Sequence, residues 1–423
     1  MSSRVERQLP YAHLERRRSM EFWLLTLAAV AFFPSNYLLR SPAWHNAYDY
    51  VRDVATIVGV AFWLTHRGRQ RTTLWMLLLA LFYLEVELAS MANEGLNMSM
   101  LRSGAYAFGF CAILDCYSER DMLRTVKAVR RGLEVLFWIN LASIILKPEG
   151  LYFDVSEING KAGYAAYFLG HRNNSIELYI PMVCLAGVES YLQRGRLNWR
   201  TMVLCVAALT SNVITWSANA LLCMLLISLC FLLIYLGRGV SVRATTYALA
   251  SLLASVGLIQ FHIIDAFEWL ITDVLHKSMT MSGRTLIWER SVAQIRTSPI
   301  YGLGIESPAT KFLKIGMLNS CHNYFLDILY YGGFVLLGIV TPLFLLSFRG
   351  GNNLDPTLES IVSAGAGAYA ILWLATPIHR GTIQLMFAFW LFVYKLRKRA
   401  RVEESEGCTA AGIYEIKEVH RIW

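Results

Sequence analysis

Three cationic or titratable side chains stand out in this 423-residue sequence because they lie in the polar segments between long apolar ones or at the ends of such segments. Arg284 begins the run RTLIWERS, His322 precedes Asn323 and an apolar stretch, and Arg172 lies within GHRNN. An arginine stays charged at any relevant pH and offers two parallel N–H donors to a phosphate group. A histidine at the N-terminus of a helix is expected to be neutral and able to accept a proton, because the helix end favours anions. These residue types are suited to binding a phosphate and taking a proton from a hydroxyl.

Each residue also has a simpler interpretation, which the sequence alone leaves open. Arg172 could extend toward lipid phosphates while the asparagines that follow it cap a helix. A single histidine at the end of an apolar segment is often a polar anchor, and His322 could be one.

The residues after Arg284 predict a short helix outside the hydrophobic segments. We expect it to run over 285–296, with Ser282 as its cap. Trp288, Val292 and Ile295 are spaced to share one apolar face. Such a helix would lie on the membrane surface or over a cavity.

Pro299 is expected to stop this helix, and the following PIYGLGIES turns through Gly302 and Gly304. A G-x-G without a third glycine and a preceding strand is no dinucleotide fingerprint. Tight turns explain these glycines.

The composition indicates a membrane protein. Hydrophobic residues make up 56% of the chain and charged residues 16%, whereas soluble domains carry about 25% charged residues. Because lipid cannot pair backbone polar groups, apolar segments of about 20 residues predict helices. The predicted fold is therefore all-α and polytopic, with about twelve transmembrane helices. The predicted spans are 22–39, 46–65, 73–92, 99–116, 127–146, 173–192, 201–215, 219–236, 244–262, 323–347, 358–376 and 381–396.

Basic residues predict the orientation. They cluster in every second connection, which places those connections and both termini in the cytoplasm. The net charge of +9 is mostly this bias, so no nucleic-acid partner is expected. A large extracytoplasmic loop, 263–322, is expected between the ninth and tenth helices of a membrane domain over 1–402, and residues 403–423 form a cytoplasmic tail. The basic clusters are Arg16–Arg18, Arg67–Arg71, Arg120–Arg131, Arg194–Arg200, Arg238 with Arg243, and Lys395–Arg401.

Charges within the spans lie mostly in their outer halves, which favours an outward-facing polar cavity over a transport path through the whole membrane. Glu134 and Glu189 are nearer the cytoplasm and are expected either to extend toward the membrane surface or to pair helices. The eight cysteines form no C-x-x-C motif, so neither a disulfide framework nor a zinc site is predicted. The outer charges are Asp49, Arg52, Asp53, Glu85, Glu87, Arg102, Arg172 and Glu177.

Taken in order, GHRNNS, SGRTLIWERSVAQIRTSPIYGLG and SCHNYFLDILYYGGF resemble the signature of the O-antigen ligase and O-antigen polymerase superfamily. The resemblance implies a dozen or so membrane helices and a large outer loop between the ninth and tenth. It also implies transfer of a glycan from an undecaprenyl diphosphate carrier to an acceptor hydroxyl at the outer face of the plasma membrane, with no metal and no other cofactor. The implied partners are a carrier-linked oligosaccharide donor, a glycan or lipid-glycan acceptor and membrane lipid.

The resemblance also implies roles for individual residues. Arg284 and Arg172 match arginines that act on the donor diphosphate, and His322 matches the histidine proposed to activate the acceptor. Around Arg172 the sequence departs from the family, with Arg where many relatives have Pro before Asn. Further substrate contacts are expected from Asn323, Trp288 and Arg290.

Other functions stay open. A transporter or flippase of the same lipid-linked sugar would need internal repeats, and no clear repeat is present. A non-catalytic scaffold or channel would leave the loop arginines and histidine unexplained. One direct displacement would invert the anomeric centre, whereas a covalent route would need a carboxylate such as Glu306 or Asp327. Asp327 could alternatively orient His322 or simply pack.

Overall fold

The computed structural model describes most of the chain, but not the cap predicted at Ser282, the first part of the loop 263–322 or the tail beyond Ser405. The described residues are 3–66, 72–154, 164–239, 242–260, 284–317, 320–349, 354–375 and 383–405.

The described residues are mostly helical, as their apolar composition requires. The helices are α1 Ser3–Phe32, α2 Asn36–Leu39, α3 Pro42–Thr65, α4 Thr73–Asn93, α5 Met98–Arg120, α6 Met122–Leu146, α7 Ser175–Arg194, α8 Trp199–Ile214, α9 Ala218–Tyr235, α10 Ala244–Gln260, α11 Arg284–Ile295, α12 Pro308–Ile315, α13 Tyr324–Phe348, α14 Pro356–Ala375 and α15 Ile383–Ser405.

The architecture is that of an all-α polytopic membrane protein. Each of the twelve predicted spans overlaps one of the long helices. Among the described residues, five helices are long and apolar enough to cross a membrane, namely α4, α7, α9, α13 and α14. The apolar helices α8 and α10 are shorter. The number of helices that cross the bilayer therefore stays a prediction.

The first predicted span, 22–39, is wrong as a continuous helix. Helix α1 ends at Phe32, and the short helix α2 begins at Asn36. Pro34 explains the break, because proline has no N–H to donate and disfavours a helical conformation in the residue before it. Ser35 then caps α2 by accepting the N–H of Leu38 at 3.4 Å.

A small antiparallel sheet lies between α6 and α7, where the sequence predicts only a loop. Its strands are β1 Tyr152–Asp154, β2 Tyr164–Tyr167 and β3 Gly170–His171. Ala166 pairs with Tyr152 on one side and with His171 on the other. The N–H of Leu169 also donates to the side chain of Asn140 in α6 at 2.8 Å. The sheet thus fixes the segment that leads into Arg172.

Helices α7, α14 and α15 form the centre of the bundle. The most apolar windows of α7 and α14 are 89% and 83% buried, whereas that of α9 is 39% buried. The residues of α15 from Leu385 to Val393 are all buried. Side chains on outer helices, such as Leu77 and Leu229, are more than half exposed. In a bilayer these exposed apolar side chains would face lipid.

Small residues allow the helices to approach closely. A Cβ added to Gly109 of α5 would lie 2.8 Å from the Cα of Thr56 in α3. A Cβ added to Gly132 of α6 would lie 2.7 Å from the Cβ of Ala29 in α1. Any larger residue at these two positions would push the neighbouring helices apart.

Four of the charges predicted to line an outer polar cavity pair with one another between α3 and α5. Arg102 donates to Asp49 at 2.9 Å and to Asp53 at 2.6 Å. Asp53 also accepts the hydroxyl of Tyr106 at 2.8 Å, and Arg52 pairs with Asp49. These charges therefore hold two helices together.

A buried ion pair joins four helices at the opposite end of the bundle. The Nζ of Lys395 in α15 lies 2.8 Å from a carboxylate oxygen of Asp115 in α5, and both side chains are 2% exposed. The other oxygen of Asp115 accepts the indole N–H of Trp63 in α3 at 2.8 Å and the N–H of Thr72, which caps α4, at 3.3 Å. The carboxylate is thus fully hydrogen-bonded, as a buried charge must be.

Arg397 forms a second pair of this kind. Its Nη2 contacts both carboxylate oxygens of Glu359 in α14 at 2.6 and 2.7 Å, and its Nε donates to the carbonyl of Ser347 in α13 at 3.1 Å. The charge pattern predicts that Lys395–Arg401 mark a cytoplasmic connection. Within this cluster Lys395 and Arg397 are buried, and each is paired with a distant carboxylate that the sequence does not reveal.

Substituting Asp115 by Ala should destabilise the protein by about 3–5 kcal/mol, because Lys395 would be left buried without its counter-charge. Thermal unfolding of the purified protein in detergent measures this effect. Lys147→Ala is the control, since Lys147 and Glu149 form a pair in which both side chains are about 60% exposed. That change should cost less than about 1 kcal/mol. Equal melting temperatures for the two variants would contradict the structural role of Asp115.

Candidate active site

Helix α11 begins at Arg284 and ends at Ile295, within one residue of the predicted range at each end. Trp288 and Ile295 are buried, and Val292 packs beside them. Trp288 and Ile295 belong to a buried apolar cluster, which we call the loop cluster. Its members are Ile287, Trp288, Ile295, Leu303, Ile315, Cys321, Leu326 and Tyr330. The cluster attaches α11 to the start of α13.

Helix α13 is broken at Gly333, and the segment after α11 repairs the break. Gly333 has φ 58° and ψ −153°, values that do not continue a helix. The carbonyls of Tyr330 and Tyr331 accept the N–H groups of Leu303 and Gly304 at 2.7 and 3.1 Å. On the other side of the break, the N–H groups of Phe334 and Val335 donate to the carbonyls of Pro299 and Ile300 at 2.9 and 3.0 Å. The backbone groups freed by the break are thus paired, as an apolar environment demands.

The same segment contacts α4. Gly304 has φ 69°, and a Cβ at this position would lie 2.3 Å from the N of Ser90 and 2.4 Å from its Cα. The N–H of Ile305 donates to the Oγ of Ser90 at 2.8 Å. Ser307 donates its N–H to Glu94 at 2.5 Å. A side chain larger than hydrogen would therefore push the loop away from α4.

His322 lies in a tight turn before α13. Its side chain is partly buried and its φ is 54°, in the left-handed region that few residues other than glycine adopt. The preceding N–H, of Cys321, donates to Asp327 at 2.7 Å. Its own N–H donates to the Oγ of Ser320 at 3.2 Å. Asp327 therefore accepts a backbone N–H of the turn that carries His322.

Asn323 is the N-cap of α13. Its side-chain oxygen accepts the N–H groups of Phe325 and Leu326 at 3.0 and 3.2 Å. Its amide donates to the Oγ of Ser255 at 3.0 Å and to the carbonyl of Leu374 at 3.3 Å. The residue is completely buried. In this structure Asn323 supports the turn of His322, and its side chain has no accessible surface to offer to a substrate.

Arg172 lies just before α7 and contacts the end of α8. Its Nη1 donates to the carbonyl of Thr215 at 3.3 Å, and its Nε is buried with no acceptor among the described residues. The neighbouring Asn173 accepts the hydroxyl of Ser217 at 2.6 Å. Arg172 therefore has donor capacity left.

Hydrogen bonds from side-chain amides to backbone carbonyls of α14 place Arg172 and His322 at the same end of the bundle. Asn219, two residues after Ser217, donates to the carbonyl of Leu372 at 3.4 Å. Leu372 lies in the last turn of α14, which also holds the carbonyl bound by Asn323. Both residues thus lie in segments connected to the last turn of α14.

Arg284 belongs to this end as well. It lies one turn before Trp288, and Trp288 shares the loop cluster with Cys321, the neighbour of His322. Arg284 is partly buried and forms no ion pair with another described residue. Burial lowers the pKa of its guanidinium below the usual value, but an arginine remains charged. A partly desolvated cation without a counter-charge favours an anionic ligand.

The other predicted substrate contacts differ in accessibility. Arg290 is exposed and faces the end of α12, where a Cβ on Gly316 would lie 3.2 Å from its Nη1. Trp288 is 1% exposed, and its Nε1 meets no acceptor among the described residues. In this structure Trp288 anchors α11 through the loop cluster.

Lys311 and Glu306 are buried residues of the same loop. The Nζ of Lys311 lies 2.7 Å from the hydroxyl of Tyr331 and sits over the rings of Tyr330 and Tyr331 at 4.6 and 4.2 Å. Glu306 accepts the hydroxyl of Tyr330 at 2.6 Å and pairs with Lys314. The sequence signal for Lys311 is weak, since lysines in a polar loop are usually solvated.

The fold and these positions define a polytopic helical membrane protein with an ordered polar site at one end of its bundle. Residues 203–341 match the family model described as O-antigen ligase. The resemblance to the O-antigen ligase and polymerase superfamily is thus confirmed over this region.

The chain is also similar to the exopolysaccharide production protein ExoQ of Rhizobium meliloti (strain 1021). The two are 26% identical over 155 residues, which are 31% of this chain and 35% of the relative. The chain therefore spans about a third of the length of that curated relative.

Replacing Gly304 by Ala should displace the loop from α4, because the new methyl group would overlap the backbone of Ser90. We expect a loss of stability of about 1–3 kcal/mol and faster proteolysis of the loop. Gly338→Ala is a matched control, since a Cβ on Gly338 meets nothing within 4 Å. Limited proteolysis and thermal unfolding measure both effects, and identical behaviour of the two variants would refute the contact.

Proposed function

We propose that the protein is a membrane glycosyltransferase that moves a glycan from an undecaprenyl diphosphate carrier to an acceptor hydroxyl at the outer face of the plasma membrane. It would act as a surface-polysaccharide polymerase or an O-antigen ligase. The match of residues 203–341 to the O-antigen ligase model and the similarity to an exopolysaccharide production protein support this class. The observation that carries the proposal is the placement of Arg172, Arg284 and His322 at one end of the bundle.

The proposed reaction is one displacement at the anomeric carbon. His322 takes the proton of the acceptor hydroxyl as the oxygen attacks, and the bond from the anomeric carbon to the diphosphate breaks. Arg284 and Arg172 stabilise the negative charge that develops on the leaving diphosphate. Because guanidinium groups supply this charge stabilisation, the proposal needs no metal ion.

The contacts of the two candidate carboxylates favour this route over a covalent one. Glu306 is occupied by Tyr330 and Lys314, and Asp327 accepts the N–H of Cys321. A carboxylate that attacked the anomeric carbon would have to give up these contacts. We therefore propose inversion of configuration at the transferred sugar.

The reaction requires the turn that carries His322 to stay fixed. Its left-handed conformation is held by Asp327 on one side and by the cap of Asn323 on the other. Strain of this kind costs on the order of 1–3 kcal/mol and is maintained by surrounding contacts. We propose that it aims the imidazole at the acceptor.

Substituting Arg284 by Gln or His322 by Ala should lower the rate of glycan transfer about 100-fold or more, because each change removes a charge or a base used in the transition state. Arg284→Lys should recover part of the activity, since lysine keeps the charge but lacks the bidentate geometry. The assay uses purified protein in detergent with a carrier-linked oligosaccharide and an acceptor. Glycan transfer in detergent also distinguishes an enzyme from a flippase, because a flippase can act only across a sealed membrane.

Arg296→Gln is the matched control, because Arg296 is exposed and directly follows α11. It should leave the rate unchanged. Parental rates in Arg284→Gln and His322→Ala, at normal protein levels, would disprove the assignment.

A deletion strain distinguishes the two kinds of acceptor. Loss of long chains with single repeats retained indicates a polymerase, and full-length chains accumulating on the carrier indicate a ligase.

A further inference from the structure

A basic cleft lies between the first turns of α6 and the middle of α1. Its volume is about 480 Å³. It is lined by four cations, Arg18, Arg124, Lys127 and Arg131, and by one carboxylate, Asp121. The described residues thus give the cleft three more positive than negative charges.

The one carboxylate that lines the cleft, Asp121, is already paired with Arg124. Asp121 caps α6 by accepting the N–H of Arg124 at 3.0 Å, and it lies 3.7 Å from the Nε of the same arginine. Arg18 and Lys127 form no ion pair with another described residue. Arg131 stacks on the ring of Phe22 at 5.2 Å. Three of the four cations therefore lack a described counter-charge.

The cleft is at the end of the bundle opposite the candidate active site. Gln193, in the last turn of α7, lines the cleft, whereas Arg172 directly precedes the first turn of that helix. A helix of this length spans about 30 Å, close to the thickness of the hydrocarbon core. A cleft at this level would meet the lipid headgroups of the other leaflet.

Apolar side chains lie in the cleft and on the exposed surface of the same helix. Phe22 and Leu123 line the cleft itself. Beyond Phe22, α1 exposes Trp23, Leu24 and Leu27, each more than half accessible. A ligand bound here thus has cations for an anionic head and an apolar helix face for a hydrocarbon chain.

We propose that this cleft binds the phosphate group of an anionic phospholipid, with the acyl chains against α1. Arginine and lysine side chains between helix ends suit such headgroups. Arg131 and Lys127 contact the phosphate, and Phe22 holds the Arg131 guanidinium in place. A free phosphate would use the same cations but not the apolar face, which is why a lipid is the better fit.

The test is the affinity of the full purified chain for phosphatidylglycerol in phosphatidylcholine nanodiscs, measured by extraction of the co-purified lipid and mass spectrometry. The double variant Lys127→Gln/Arg131→Gln should bind phosphatidylglycerol at least about tenfold more weakly. The matched control is Arg238→Gln/Arg243→Gln, two basic residues outside the cleft whose loss should not change binding. The single variant Lys127→Gln should show a smaller loss in the same direction and is the milder test of folding.

Unchanged phosphatidylglycerol affinity in the double variant would overturn the proposal. Equal losses in the double variant and the control would also overturn it, since they would indicate a non-specific charge effect. Inorganic phosphate forms a separate arm. If it raises the melting temperature of the parent as much as phosphatidylglycerol does, and not that of the double variant, the site takes free phosphate and the lipid assignment fails.

Discussion

The structure depends on the pairing of backbone polar groups where α13 breaks. An apolar bundle has no water to satisfy a free carbonyl or N–H, so a non-helical residue such as Gly333 is tolerated only if other chain segments supply partners. The segment 299–304 supplies them on both sides of the break. The loop between α11 and α13 is therefore packed against the helical bundle, and its position is set by the same hydrogen bonds that stabilise the broken helix.

This arrangement explains how a polar site can be rigid at the end of an apolar bundle. Once 299–304 is paired with α13, the loop cluster fixes α11, and Gly304 and Ile305 connect the loop to α4. Arg284 and the turn of His322 are then attached to the same body. In the proposed enzyme, the leaving diphosphate and the attacking hydroxyl meet groups that are already in place, which lowers the entropic cost of the reaction.

The sequence predicts the features that follow from local pattern. Apolar length gives the long helices, and the spacing of Trp288, Val292 and Ile295 gives α11 to within one residue at each end. It fails where a distant partner decides. Lys395 resembles a solvated basic residue until Asp115 is brought beside it, and Asn323 resembles a polar surface residue until α10 and α14 enclose it. The strands before Arg172 are too short for any periodicity to show, and their pairing is a tertiary contact.

The pair of Asp115 and Lys395 also has a consequence for biogenesis. The two residues are 280 positions apart, so the ribosome adds Asp115 to the chain long before Lys395. Until α15 is inserted, the incomplete chain holds the carboxylate of Asp115 at the interface of α3, α4 and α5 without its cationic partner Lys395. A product that stops before α15 would therefore keep a buried carboxylate without its counter-charge, and we expect it to pack less stably than the full chain.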